Sequence, residues 1–310
     1  MNTNNNGYTI IYTAIIVIVV AAVLAVVSQT LKPNQLANEK ADVISQMMTA
    51  AGLGEKAGFE AMGNAKVLDM YSENIEEAYL VNAEGARVDT LLTAPADQIE
   101  IYTPSMLKTL YKTAKNGGTP DKLPVFKFKN GLTVIPVYGA GLWGPIWGYL
   151  SFEGMTLRGA FFDHESETAG LGAKIKDDPA FQALFAGKEI LVTEEAAQFE
   201  IAKAGAHKLG ESNGIDAIAG ATMTSKGLNE AINLWLGLYK PLFEGAPAGC
   251  QGEHKGCGNH EGCEGQHHEG CEGEHEGCEH HHHEGCEGQH EEHADCDKPC
   301  CQETPKAEEE

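Results

Sequence analysis

Cysteine is missing from the first 249 residues of this 310-residue chain; all nine lie between Cys250 and Cys301. Thiol chemistry, a disulfide framework and cysteine-held iron–sulfur centres are therefore excluded from everything before the tail. Charge is missing from Tyr8 to Val27, a run that is almost wholly apolar and rich in β-branched residues. Its length of about twenty residues suits one bilayer crossing. No Lys or Arg precedes it, so the basic start of a cleaved signal is absent and a retained single-span anchor is expected. A signal cut near Ala25-Val26-Val27-Ser28 is the alternative. Lys32 and Lys40 follow the run, interleaved with Glu39 and Asp42, which is too weak a bias to orient it.

Positive charge is scarce as well. The chain has 22 Lys and Arg against 45 Asp and Glu, a net charge of −23, of which −15 falls between Cys250 and Glu310. Such an excess argues against nucleic acid or an anionic membrane surface as partner and is compatible with cations. No G-x-G-x-x-G follows any expected strand, so this is not a Rossmann nucleotide site. The expected organisation is an anchor over residues 1–30, a soluble domain over 31–245 and a low-complexity tail over 246–310.

The tail repeats one unit six times: His254…Cys257, His260…Cys263, His268…Cys271, His275…Cys278, His283…Cys286 and His293…Cys296. An imidazole and a thiolate three residues apart can reach one ion through a tight turn, which Gly supplies. Two units then make a Cys2His2 site for zinc. Cu(I), or Ni(II) through the histidines, fits the same donors. Without a metal the segment has too few apolar residues to fold. A disulfide-linked tail is the third reading, although nine cysteines leave one thiol over.

Within the soluble domain, Val125–Phe128 and Leu132–Val137 flank Asn130-Gly131 and read as a hairpin. Further strands are expected at Gly148–Phe152, and as a pair at Lys188–Thr193 and Phe199–Lys203. A juxtamembrane helix is expected from Leu36 to Leu53, continuous with the anchor or separate from it. Strands grouped together with helices at the flanks predict an α+β domain.

The most informative stretch is Asp216-Ala-Ile-Ala-Gly-Ala-Thr-Met-Thr-Ser225. From Thr222 on, Leu228, Ala231, Ile232, Trp235, Leu236 and Tyr239 recur at helical spacing, so a helix starts here with one buried face. Thr222 is a good N-cap, and first-turn amides plus the helix dipole favour a phosphate. Gly220 and Ala221 let a bulky ligand approach the backbone. An ordinary capped helix after a tight turn carries the same short string.

The longer string resembles the attachment motif of the covalent-FMN family, in which a flavin transferase esterifies the last Thr of an S/T-G-A-T core with FMN phosphate. Ala219 stands where the family has Ser or Thr. Two more segments resemble the same family: Gly139-Ala-Gly-Leu-Trp-Gly-Pro145, and His164-Glu-Ser-Glu-Thr-Ala-Gly-Leu-Gly172 with Ala169 in place of Pro. Together with the anchor they are similar to the NqrC family, the C subunits of sodium-translocating NADH:quinone reductases. The related RnfG family, from the ion-translocating ferredoxin:NAD oxidoreductases, is the alternative, set apart mainly by Leu142-Trp-Gly-Pro145.

The resemblance implies FMN joined to Thr222 by a phosphoester. Gly220, Ala221, Thr224 and Ser225 would surround the phosphate, Trp143 and Leu171 would pack on the ring, and Gly170 and Gly172 would offer backbone amides. Asp216 is either a turn residue or part of what the transferase reads. Trp147 is expected in the sheet core, and His164 and Glu167 are given no catalytic role. It further implies an inner-membrane protein with its soluble domain outside the cytoplasm, partnered by the A, B, D, E and F subunits of the reductase. Those partners would hold the NADH, quinone and sodium sites. A membrane-tethered metal buffer working through the tail is the competing function.

Overall fold

An apolar run without charge winds into the first half of one long helix, α1 (Asn6–Ala50). The computed structural model describes residues 6–244, so the His/Cys units of the tail lie outside the described residues. Helix α1 does not break where the apolar run ends; Pro33 is accommodated inside it, and the juxtamembrane helix is its continuation. Its apolar window has a mean hydropathy of 3.2 and none of it is buried, so length and composition suit it to anchor the chain in a membrane. At 1.5 Å per residue, the segment from Val27 to Ala41 lifts the domain about 20 Å beyond that run.

From Ala41 on, the helix carries a wide apolar stripe, with Ile44, Met47, Met48 and Ala50 buried. Two short helices follow, α2 (Lys56–Met62) and α3 (Asn64–Asn74). Then come β1 (Ile75–Val81), β2 (Arg87–Thr90) and α4 (Pro104–Lys115). The next four strands are β3 (Leu123–Phe128), β4 (Thr133–Ala140), β5 (Pro145–Glu153) and β6 (Thr156–His164). Strands β1 to β6 form one antiparallel sheet in the order β2-β1-β3-β4-β5-β6. After it stand α5 (Lys174–Asp177), α6 (Pro179–Ala183), β7 (Leu191–Val192), β8 (Ala197–Gln198), β9 (Glu200–Ala202) and β10 (Gly214–Asp216). Helix α7 (Thr222–Leu238) and the short α8 (Lys240–Glu244) end the described residues. The architecture is α+β. By compactness the chain divides into residues 1–241 and 242–310, and only Leu242–Glu244 of the second unit are described.

From β3 to β6 the sheet is buried on both faces, and successive side chains of each strand enter two different cores. Phe126, Val134, Tyr149 and Phe161 join a core with α1 and α3. Their neighbours Val125, Ile135, Leu150 and Phe162 are buried on the opposite face, where α7 crosses β4. The end of α1 is pinned to the first face. Its terminal carbonyls, which a helix leaves unpaired, are met by Ser151 Oγ on Ala50 O (2.5 Å) and Asn130 Nδ2 on Ala51 O (2.9 Å). Gly159 makes this possible, since a Cβ there would stand 2.4 Å from Ala50 O.

Polar contacts reinforce this junction. Gln46 Nε2 donates to Asp42 Oδ2 (2.8 Å) and Asp163 Oδ2 (3.2 Å), and Asp163 Oδ1 pairs with Lys176 (2.8 Å). Trp147, expected in the sheet core, is half-buried and donates its indole N–H to Gln46 Oε1 (3.2 Å). The hydroxyls of Tyr71 and Tyr149 are buried without a hydrogen-bond partner among the described residues. Burial pushes both groups well above the usual phenol range, so they stay neutral. Tyr149→Phe is accordingly expected to leave stability unchanged or raise it by up to about 1 kcal/mol in urea unfolding, because no hydrogen bond is lost.

The second expected strand pair is re-partnered. Residues 191–192 pair with 197–198, while β9 runs parallel to β10. Helix α7 imposes this: Asn229 Oδ1 accepts from Ile201 N–H (2.7 Å), and Asn233 bonds Phe199 at both N–H and C=O. Those backbone groups are thereby drawn to the helix.

Candidate functional site

Strand β10 delivers the chain to the start of α7 through one tight turn. Ala221 N–H closes it on Ile218 C=O at 3.1 Å, and Gly220 sits at φ +81°. That value belongs to the position a type II turn reserves for glycine. Ser225 Oγ accepts from Ile218 N–H (3.1 Å) and holds the turn from beneath. Helix α7 is then fixed by close approach to the sheet. Cβ atoms at Gly227 and Gly139 would stand 2.2 Å from Ala140 O and 2.4 Å from Ala231 Cβ. Trp235 Nε1 and Tyr239 Oη add bonds to Tyr138 O and Pro124 O, both 2.7 Å.

The expected N-cap is displaced by one residue. Ala221 occupies that position without a side-chain cap, and Thr222 is the first helical residue. The reason is the turn: Ala221 is where the chain leaves Gly220 with non-helical φ −120° and ψ 43°. Thr222 is exposed, and its hydroxyl takes no part in any hydrogen bond among the described residues. Ser225 is the first amide of the turn bonded back, to Ala221 O (2.9 Å); those of Thr222, Met223 and Thr224 have no acceptor among the described residues. Thr224 and Ser225 are buried, each about 1% exposed, and their hydroxyls are engaged. Of three hydroxyls in four residues, one is free for chemistry.

Two loops meet this helix end. Gly141–Gly144 is a turn closed by Gly141 N–H to Gly144 O (2.8 Å). It presents Trp143, 66% exposed, with Leu142 exposed beside it. The other loop descends from β6 and carries Glu167, which is 7% exposed. Glu167 Oε1 accepts from Trp143 N–H (2.9 Å), Oε2 accepts from Thr224 Oγ1 (2.6 Å), and its own N–H donates to His164 Nδ1 (3.1 Å). Sequence reasoning missed Glu167 as a buried junction.

Further along that loop, Gly170 turns the chain at φ +75° and Leu171 is exposed; its Cδ2 would lie 3.2 Å from a Cβ on Gly220. Gly172 is buried, and glycine is required there because a Cβ would meet Glu167 Oε2 at 2.5 Å and Thr224 Oγ1 at 2.6 Å. Neither the Gly170 nor the Gly172 amide is bonded among the described residues. Asp216 ends β10 rather than making the turn; its carboxylate faces His207 Nε2 at 2.9 Å and is exposed. Ala219 and Ala169 are exposed turn residues. Met223 adds a fourth exposed apolar side chain beside Leu142, Trp143 and Leu171.

Free amides at a helix start, a free hydroxyl on its first residue and exposed apolar side chains on adjoining loops suit a ligand with a phosphate and a flat apolar body. The family model for the FMN-binding domain matches residues 141–237, spanning both loops and almost all of α7. The fold and site therefore define an FMN-binding domain. The chain is 28% identical over 255 residues to the C subunit of the Na(+)-translocating NADH-quinone reductase of Pseudomonas aeruginosa, covering 76% of this chain and 93% of that protein. The crystal structure of the same subunit from Parabacteroides distasonis is 30% identical, covers 68% of this chain and 96% of that one, and superposes with a TM-score of 0.52. Shewanella oneidensis NqrC matches at 26% identity and a TM-score of 0.51, covering 67% and 96%. The chain belongs to the NqrC family, the C subunits of Na(+)-translocating NADH-quinone reductases.

Proposed function

We propose that the chain is the flavin-carrying electron-transfer subunit of a sodium-translocating NADH:quinone reductase, with FMN joined to Thr222 Oγ1 through its phosphate. The observation that carries this reading is the isolation of one hydroxyl. Thr222 is exposed and unbonded among the described residues, while Thr224 and Ser225 are buried and committed. FMN supplies the redox chemistry when bound. The chain does the rest. Thr222 fixes the phosphate, and the free first-turn amides with the helix dipole stabilise its charge. Trp143 and Leu171 offer apolar surface to the ring. A phosphoester prevents loss of the cofactor on the outer side of the membrane, where α1 tethers the domain.

The A, B, D, E and F subunits would supply the NADH, quinone and sodium sites, and a flavin transferase would install the FMN. In a denaturing gel, flavin fluorescence should stay with the chain made alongside such a transferase; fluorescence that leaves with the dye front contradicts covalent attachment.

The tail is proposed, from its sequence alone, as an accessory zinc-binding segment. Truncation after Pro247 is expected to leave flavin attachment at the full-length level while zinc uptake, read by competition with a chromogenic chelator, is lost. Two Cys/His units per ion predict about three zinc ions for the full chain. Loss of flavin from the truncated chain would make the tail part of the redox function.

A further inference from the structure

Glu167 presents both of its carboxyl oxygens to partners inside the protein. It is buried, and no ion pair neutralises it among the described residues. Such a group persists only where hydrogen-bond donors meet it. Here there are two, on two different elements: Trp143 N–H on Oε1 and Thr224 Oγ1 on Oε2. The chain leaves room for this on both sides, at Gly141, where a Cβ would stand 2.3 Å from Oε1, and at Gly172, 2.5 Å from Oε2. A carboxylate is the side chain that accepts at both ends; an amide accepts at one and donates at the other.

The two donors are not equivalent in consequence. Trp143 N–H fixes the turn that presents the exposed indole. Thr224 fixes the first turn of α7, hence the Thr222 hydroxyl and the free amides around it. We propose that Glu167 is a positioning residue: one buried carboxylate sets the placement of the ring-facing Trp143 loop relative to the phosphate anchor at Thr222. The inference rests on the attachment of FMN at Thr222 and adds what holds the two halves of that site in register. Glu167 touches neither the attachment oxygen nor, in this role, the flavin; it acts through Trp143 and Thr224.

The test has two arms. In the Thr222→Ala chain, which carries no flavin, hydrogen exchange at the Trp143 amide reads the junction alone. Glu167→Ala should speed that exchange about tenfold or more, since a hydrogen bond to a charged group is lost. Glu167→Gln should restore much of the protection by keeping one carbonyl acceptor for Trp143 N–H. In the flavinylated chain, Glu167→Ala should lower the flavin fluorescence anisotropy and shift its midpoint potential, with Glu167→Gln lying between it and wild type. Thr224→Val, close in shape, removes only the helix side of the junction and serves if Glu167→Ala fails to fold; it should move the flavin readouts in the same direction.

Faster exchange together with altered flavin readouts, rescued by Gln, supports the proposal. Unchanged anisotropy and potential in a folded Glu167→Ala chain with flavin attached overturn it and leave the attachment at Thr222 standing. A wild-type chain that acquires no flavin from an active transferase overturns both.

Discussion

Thr222→Ala should abolish flavin attachment outright while leaving the fold intact. Thr222 is exposed and its hydroxyl is bonded to nothing among the described residues, so the substitution removes little packing and no hydrogen bond. Ala is also the better helix former, by up to about 0.7 kcal/mol per residue. Stability should therefore hold or rise slightly. The bound flavin should fall to background, because the neighbouring hydroxyls cannot substitute. Thr224 and Ser225 face inward and hold Glu167 and Ile218, and freeing either would break a buried hydrogen bond. Absorbance of the purified chain near the flavin bands, beside its thermal unfolding curve, checks both halves. A variant that keeps stoichiometric flavin would remove Thr222 from the role proposed for it.

The second large effect comes from two small residues. In an exposed helix position Gly→Ala gains up to about 1 kcal/mol. At Gly237, where a Cβ meets nothing within 4 Å, Gly237→Ala should stabilise by up to that amount. At Gly227 on the same helix the outcome reverses. A Cβ there would lie 2.2 Å from Ala140 O and 3.3 Å from Gly141 Cα, and backbone in a paired strand cannot swing aside. Helix α7 must lift from β4, at an overpacking cost of about 1–3 kcal/mol or more, which exceeds the propensity gain. The displaced end is the one that carries Thr222, and the strand it leaves runs into the Trp143 turn. Gly227→Ala should thus lose stability and flavin attachment together, as denaturant unfolding and flavin content would show. Equal and positive shifts at both glycines would contradict the close helix–strand approach.

What was legible in the sequence was local. Asn130-Gly131 announced the β3–β4 hairpin, and Gly131 has the positive φ (+85°) that such a turn requires. The spacing of Leu228, Ile232, Trp235 and Tyr239 gave α7, and the small residues before it gave the turn. Strand β6 went unseen because Arg158, Gly159 and Asp163 interrupt any apolar alternation. Gly159 and Asp163 serve α1, whose end packs there more than a hundred residues away in sequence. Strand β1 carries Glu76 and Glu77 and is recognised only through its pairing with β3. The partner of β9 is chosen by Asn229 and Asn233 from α7, a choice that residues 199–203 do not contain. The junction at Glu167 is the least legible of these features. In sequence Glu167 is one acid among several beside a histidine. Its role exists because Trp143 and Thr224, 24 and 57 residues away, converge on it.

Whether one hydroxyl of this chain carries FMN is decided by fragmentation mass spectrometry of a single peptide. Trypsin cutting after Lys208 and Lys226 releases Leu209–Lys226, which holds Ser212, Thr222, Thr224 and Ser225. From protein made alongside an active flavin transferase, the peptide should be heavier by one FMN less one water, with fragments that place the whole increment on Thr222. An increment on Thr224, Ser225 or Ser212, or an unmodified peptide while the transferase modifies another substrate, would overturn the assignment of Thr222 as the flavin anchor.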